Sequence, residues 1–405
     1  MDIDLTVLVV FLFVYGGMVL GGIPGLALDR TGVAVLGAIA LTATGHTNME
    51  QAWKAMDVST LALLLGLMIV SVQFRLGGFY TKVVAYVANL PLSPYVLLGA
   101  TVWVVGVLSS VLVNDIVCLA TTPIMIEACA KRRLDPVPFC LAIALSSNVG
   151  SALTLVGNPQ NMLIGQTLHL SFSKYLWDAS VPVVLGLFCV WGVIAFLWRK
   201  NICRETGIPS VETIRFNPWQ TTKGLIVLAG LLFVFLFTSV PRGISALTAA
   251  GILFLSRKMA SRRFLGEVDW QLLVLFGGLF VINDCVGRSG IPQMLVSELR
   301  ALGIDMDSGV WLFITTTVLS NLVSNVPATM LLLPMSHHPQ LGAILALSST
   351  LAGNLLLVGS IANLIVADQA SLHGVRITWK QHALVGIPIT IITLCIAGAW
   401  LAFLQ

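Results

Sequence analysis

Apolar runs of bilayer length recur along this chain: Leu5 to Leu20, Val58 to Val72, Val181 to Leu197, Gly224 to Val240 and Ala383 to Leu404. Each approaches the ~20 residues that a helix needs to cross a hydrocarbon core. Only 10% of the 405 residues are charged, where an ordinary soluble domain has roughly a quarter. So little polar surface cannot dissolve a folded chain of this size in water. The pattern predicts an all-α polytopic membrane protein. The first run reads as a spanning helix rather than a secretory signal. Asp2 and Asp4 stand where a basic region belongs, and no small-residue cleavage site follows.

The chain also repeats itself. Asp57 opens "DVSTLALLLGLMIV" and Asp269 opens "DWQLLVLFGGLFVI", 212 positions on. Asn114 and Pro123 recur as Asn325 and Pro334, 211 positions on. "LSSNVGSALTLVGNPQNML" from Leu145 recurs as "LSSTLAGNLLLVGSIANLI" from Leu347, with Ser146, Ser147, Gly157 and Asn161 matching Ser348, Ser349, Gly359 and Asn363. Matched polar residues carry the weight here, because an apolar background does not produce them.

Each half then reads as three spanning helices (in the first half about 4–21, 29–46 and 57–74), a re-entrant hairpin, a broken helix and a last helix (176–198). The N-terminal repeat is 1–203, with hairpin 92–130 and broken helix 136–168. A cytoplasmic linker follows at 204–220. The C-terminal repeat is 221–405, with hairpin about 308–336 and broken helix about 340–368. A hairpin returns to its own side, so each half makes about five crossings, and an odd number turns the second half upside down. That is the inverted-repeat plan of secondary transporters. Placing the loops this way puts 17 of the 22 Lys and Arg on one side and 5 on the other. Basic loops stay cytoplasmic, so both termini are expected outside the cytoplasm, in a cell inner (plasma) membrane.

Non-helical backbone survives at membrane depth only where protein or a watery cavity surrounds it. The hairpin tips (Ser109 to Asp115, Ser320 to Asn325) and the broken-helix centres (Ser146 to Asn161, Ser348 to Asn363) are expected to meet near the midplane. Half-helix ends there offer unpaired N–H groups and carbonyls. Ser, Thr and Asn side chains add donors and acceptors. These breaks nominate Asn114, Ser146, Ser147, Asn148, Gly157, Asn158, Ser324, Asn325, Ser349, Thr350 and Gly359 as solute contacts. Small and hydroxylated residues also serve close helix packing, which is the competing role for the serines and for Gly150, Gly157, Gly353 and Gly359. Asp115 has Val326 as its repeat partner, so its charge lies outside the symmetric scaffold. An intramembrane carboxylate is a proton-coupling candidate; the other role open to Asp115 is capping the second hairpin arm. Asp57 and Asp269 are expected to be N-caps. Glu127 with Lys131 and Asp284 with Arg288 are expected ion pairs at helical spacing. Cys118 lies one turn past Asn114, where it either packs or meets a thiophilic solute.

Neither a cofactor nor a metal is called for. The seven cysteines show no paired metal spacing, and the six histidines lie in or beside predicted loops. No phosphate-cradling lysine loop occurs. The longest loops, about 199–222 and 257–268, are too short for a nucleotide-hydrolysing domain, so energy comes from an ion gradient or from an ATPase subunit outside this chain. Nothing suggests a nucleic-acid partner.

At "VNDIVCLATTPIMI", "SSNVGSALTLVGNPQNMLI" and "LSNLVSNVPATMLLLP" the chain resembles the ArsB/NhaD-type permeases of the ion transporter superfamily, over nearly its whole length. The resemblance implies proton-coupled efflux of arsenite or antimonite through a secondary transporter, with Asn114, Asp115, Ser147, Asn148, Asn325 and the Gly359 region around the solute. It also implies a homodimer. Two alternatives stay open: a Na+/H+ antiporter of the NhaD kind, where Asp115 would bind Na+, and a sodium-coupled anion symporter. The broken helices look closer to the general anion-permease branch. The "SNV" at Ser324 keeps only part of the Ser-Asn-Thr motif of dicarboxylate carriers.

Overall fold

The computed structural model describes residues 4–23, 25–199, 202–203, 215–256 and 259–404. Among them lie twenty α-helices in two runs of ten. The first run is α1 (Leu5–Leu20), α2 (Arg30–Ala43), α3 (Met49–Ala55), α4 (Val58–Leu76), α5 (Phe79–Asn89), α6 (Pro94–Val111), α7 (Asn114–Lys131), α8 (Pro136–Ser151), α9 (Pro159–Thr167) and α10 (Phe172–Leu197). The second is α11 (Pro218–Phe237), α12 (Arg242–Phe254), α13 (Ser261–Gly266), α14 (Trp270–Arg288), α15 (Ile291–Ala301), α16 (Gly309–Val323), α17 (Asn325–Leu332), α18 (Leu341–Ala352), α19 (Ile361–Leu372) and α20 (Trp379–Phe403). The two runs correspond member by member. Most of the linker expected at 204–220 lies outside the described residues.

Local chemistry explains the correspondence. Asp57 accepts from Thr60 N and Asp269 from Leu272 N, both at 3.0 Å. Their backbones match as well, at φ −76°, ψ 86° and φ −76°, ψ 84°. Both aspartates are thus N-caps, as expected. α4 turns into α5 at Gly78 (φ 71°), and α14 turns into α15 at Gly290 (φ 78°). This left-handed conformation is open to glycine at no steric cost. The short helices α3, α5, α13 and α15 were not foreseen, because runs of 6 to 11 residues carry too few turns to register as a period. Ion pairs join Glu127 to Lys131 and Asp284 to Arg288, the latter at 2.6 Å.

Six described helices are long and apolar enough to cross a membrane, and α6 is one of them. Its partners nevertheless make it a hairpin arm. Arg132, just past α7, donates from Nη1 to the carbonyls of Ala88 and Leu90 at 2.9 and 3.1 Å and from Nη2 to that of Leu92. The chain entering α6 and the chain leaving α7 therefore lie side by side. The second hairpin closes likewise, with His337 N donating to Asp307 Oδ1 at 2.8 Å.

The two hairpins enter from opposite ends of α10, whose 26 residues span ~39 Å. The base of the first sits at the C-terminal end: Tyr95 Oη donates to Arg199 O at 2.8 Å and Asp135 N to Ile202 O at 2.9 Å. The base of the second sits at the N-terminal end, where Ser171 and Lys174 share a cavity with His338 and Gln340. Packing is reciprocal as well. α2 lies on α14 and α4 on α12, while α6 lies on α8 and α16 on α18. The halves are two inverted repeats.

Candidate solute-binding site

The first tip is hydrogen-bonded to the broken helix of its own half, while the second only packs beside its own, near Gly353 and Gly359. In the first half, Asn114 N donates to Gly157 O at 3.1 Å. Ser147 Oγ lies 3.0 Å from Ser109 Oγ and 3.4 Å from Asn114 O, and Thr154 donates to Ser110 O. A Cβ on Gly157 would stand 2.3 Å from Ser151 O and 2.7 Å from Ser109 O. Only glycine lets the tip come this close. In the second half α16 passes to α17 at Ser324, with φ 78° and ψ 159°. A non-glycine residue there is strained by about 1–3 kcal/mol, whereas its repeat counterpart Val113 is relaxed at φ −61°.

The breaks also bind each other across the two halves. Asn148 Nδ2 donates to Asn354 Oδ1 at 2.8 Å and to Asn363 Oδ1 at 3.1 Å, and Asn148 Oδ1 accepts from Ser360 Oγ at 2.8 Å. Thr350 Oγ1 accepts from Gln160 Nε2 at 3.1 Å and from Asn158 Nδ2 at 3.3 Å. The repeated Asn161 and Asn363 also close the break in their own helix. Asn161 Nδ2 donates to Thr154 O at 2.9 Å, and Asn363 Nδ2 donates to Gly353 O at the same distance.

Where these parts converge lies a cavity of about 30 Å³, lined by Asn114, Asp115, Asn148, Pro159, Gln160, Leu272, Ser324, Asn325, Val326, Ser360 and Ile361. Among them are residues at the start of α7 (Asn114, Asp115), α9 (Pro159, Gln160) and α17 (Asn325, Val326), and the N-cap and first residue of α19 (Ser360, Ile361). Four helix N-termini therefore face one small space and favour oxygen lone pairs or negative charge in it. Two lining groups are unsatisfied. Asn114 Oδ1 and Asn325 Oδ1 are buried and accept no hydrogen bond, although a buried polar atom left this way costs about 1–3 kcal/mol. They occupy equivalent positions in the repeat, so two matched acceptors await a donor or a cation.

A family model described as citrate transporter matches residues 6–343. The chain belongs to the citrate transporter family. It is 24% identical to the silicon efflux transporter LSI3 of Oryza sativa subsp. japonica over 92% of each chain. It is 25% identical to a transporter named arsB in Dictyostelium discoideum, over 92% of this chain and 87% of that one. It is also 25% identical to a 46 kDa membrane protein of Mycobacterium leprae, over 93% and 95%. Its fold is similar to the crystal structure of the YdaH transporter of Alcanivorax borkumensis, with a TM-score of 0.60 at 15% identity and 99% of each chain covered. This protein is thus a multi-pass membrane transporter.

Within this citrate transporter family member, Asn114, Asp115, Asn148, Ser324 and Asn325 line the cavity. Ser146 instead donates to Ile143 O at 3.5 Å and Ser349 to Ala346 O at 3.4 Å, both on their own helix. Ser147 and Gly157 hold the first tip from behind, and Asn158 caps α9 by accepting from Asn161 N at 2.9 Å. Thr350 ties the halves together, and Gly359 packs beside Gly353 O and Asn321 Oδ1. Asp115 makes no cap bond: the residue capping α7 is Val113, without a side-chain hydrogen bond. Cys118 is fully buried and outside the cavity lining. Gln160 and Ser360 line the cavity but were not singled out from sequence. Ser360 was within reach, since it is the repeat counterpart of Asn158 and likewise precedes its helix.

Proposed function

We propose that this transporter exports arsenite or antimonite, as their uncharged trihydroxides, in exchange for protons by alternating access. The observation that carries this reading is the pair of unpartnered amide oxygens, Asn114 Oδ1 and Asn325 Oδ1, facing one cavity beside four helix N-termini. A trihydroxide suits both kinds of group at once. Its hydroxyl protons satisfy the amide oxygens, and its lone pairs accept from the helix ends. A tricarboxylate fits less well, because no Lys or Arg is among the described residues lining the cavity. Relatives named for silicon efflux and arsB agree with export of a small inorganic solute.

Asp115 is the proton carrier in this reading, as the one ionisable group among the described residues lining the cavity. Alternating access draws support from an asymmetry between the halves. α4 packs on α9, with Gln166 Nε2 3.5 Å from Ser59 O, and among the described residues no comparable packing joins α14 to α19. Leu272, at the start of α14, lines the cavity, while its counterpart Thr60 does not. The site thus sits toward the end of the molecule that the basic loops assign to the cytoplasm.

Arsenite uptake into inverted membrane vesicles under an imposed pH gradient tests the proposal. Uptake is expected with the native chain and is lost in Asp115→Asn, which should still fold. Gradient-driven uptake by that variant would remove Asp115 from the proton path. Sodium-dependent proton movement with no arsenite uptake would replace the proposal with sodium–proton exchange.

A further inference from the structure

Arg30 and Arg242 stand 212 positions apart, the offset that relates Asp57 to Asp269, and each opens its helix, α2 or α12. Their side chains are employed differently. Arg242 Nη1 donates to Gly165 O at 3.0 Å and Nη2 donates to Leu170 O, so its guanidinium clasps the C-terminal turn of α9. That turn closes by Leu170 N donating to Gly165 O at 3.1 Å around His169, φ 49°. α19 ends in the same turn: Val375 N donates to Ala370 O at 2.8 Å around Gly374, φ 76°. Matched by this turn, which α19 reaches after 12 residues and α9 after 9, the carbonyls of Ala370 and Val375 are to Arg30 what those of Gly165 and Leu170 are to Arg242. Arg30 does not reach them, and its Nε is buried with no hydrogen-bond partner.

We infer that Arg30 and Arg242 are alternate docking residues: Arg242 holds the end of α9 in the state seen here, and Arg30 takes the end of α19 in the opposite state. Charge-assisted hydrogen bonds to helix-terminal carbonyls are strong, because the C-terminal end of a helix carries partial negative charge. The inference rests on the alternating-access reading and adds to it a residue pair that sets the balance between the two states. In each state one guanidinium holds a helix end and the other does not, so neither state is over-stabilised and the carrier can cycle.

The test uses the full chain in membrane vesicles, with exposed Cys203 and Cys395 replaced by Ser and a cysteine pair introduced by Ser59→Cys and Gln166→Cys. A short bis-maleimide, which adds to both thiols, joins that pair only while α9 lies on α4. Arg242→Gln should slow cross-linking about tenfold, the weight of a charge-assisted hydrogen bond, and Arg30→Gln should speed it while slowing arsenite flux. Arg30→Lys, which keeps the charge but offers one ammonium in place of the fork of donors, should restore both in part, and Arg30→Met is read in place of Arg30→Gln if that variant does not fold. An unchanged rate in Arg30→Gln, or a shift in the same direction as Arg242→Gln, overturns the inference. The underlying reading fails separately: cross-linked vesicles that still move arsenite would show that α9 need not leave α4.

Discussion

Two asparagines in one cavity wall have opposite jobs. Asn148 is fully engaged, donating twice and accepting from Ser360. Asn148→Ala strands three buried partners, so it should cost about 2–3 kcal/mol and lower the thermal midpoint in detergent by several degrees. Asn325 Oδ1 has no partner to strand. Asn325→Ala should leave thermal stability within about 1 kcal/mol of the native chain while arsenite transport falls at least tenfold. Equal loss of stability in both variants would make Asn325 a structural residue. Ser324 adds a third case, since its backbone is in a region nearly reserved for glycine. Ser324→Gly should raise stability by about 1 kcal/mol, seen as a higher unfolding temperature. The sequence located these residues through the repeat, but nothing in it tells a satisfied amide from an unsatisfied one.

Between elements, several glycines let backbones approach closely. α6 and α8 meet where a Cβ on Gly150 would lie 2.2 Å from Gly106 O. The contact is with backbone, so no side chain can turn aside. Gly150→Ala should therefore lose about 3 kcal/mol or more and reduce the yield of monodisperse protein on size exclusion. Gly192→Ala on α10, with nothing within 4 Å, should leave that yield unchanged. These glycines had two readings at sequence level, packing or solute contact. The geometry gives Gly150 and Gly157 to packing, because carbonyls occupy the space their side chains would need. The order of spans, hairpins and broken helices was legible from apolar length and repeated polar positions. The short helices between them were not, since their cause is capping and packing rather than periodicity.

At the scale of the molecule, sidedness is the open consequence. Cys203 is exposed and its backbone pairs with Leu134 at the base of the first hairpin, the side to which the positive-inside reading assigns the cytoplasm. A membrane-impermeant maleimide should label Cys203 in inverted vesicles and not in intact cells; the reverse pattern would turn the whole topology over. By itself the sequence determined that the chain lives in a membrane, that it is built twice, and which polar residues interrupt its helices. Those are statements about composition and spacing, and water and lipid impose them directly. Whether α6 crosses or returns was decided only by where its tip ends, with Asn114 N donating to Gly157 O at the break between α8 and α9, because an 18-residue apolar helix is compatible with either path. Which polar groups remain free to hold a solute was decided only in three dimensions as well. Satisfaction of a buried hydrogen bond depends on partners more than 200 residues away, as between Asn148 and Asn354, and no local pattern records them.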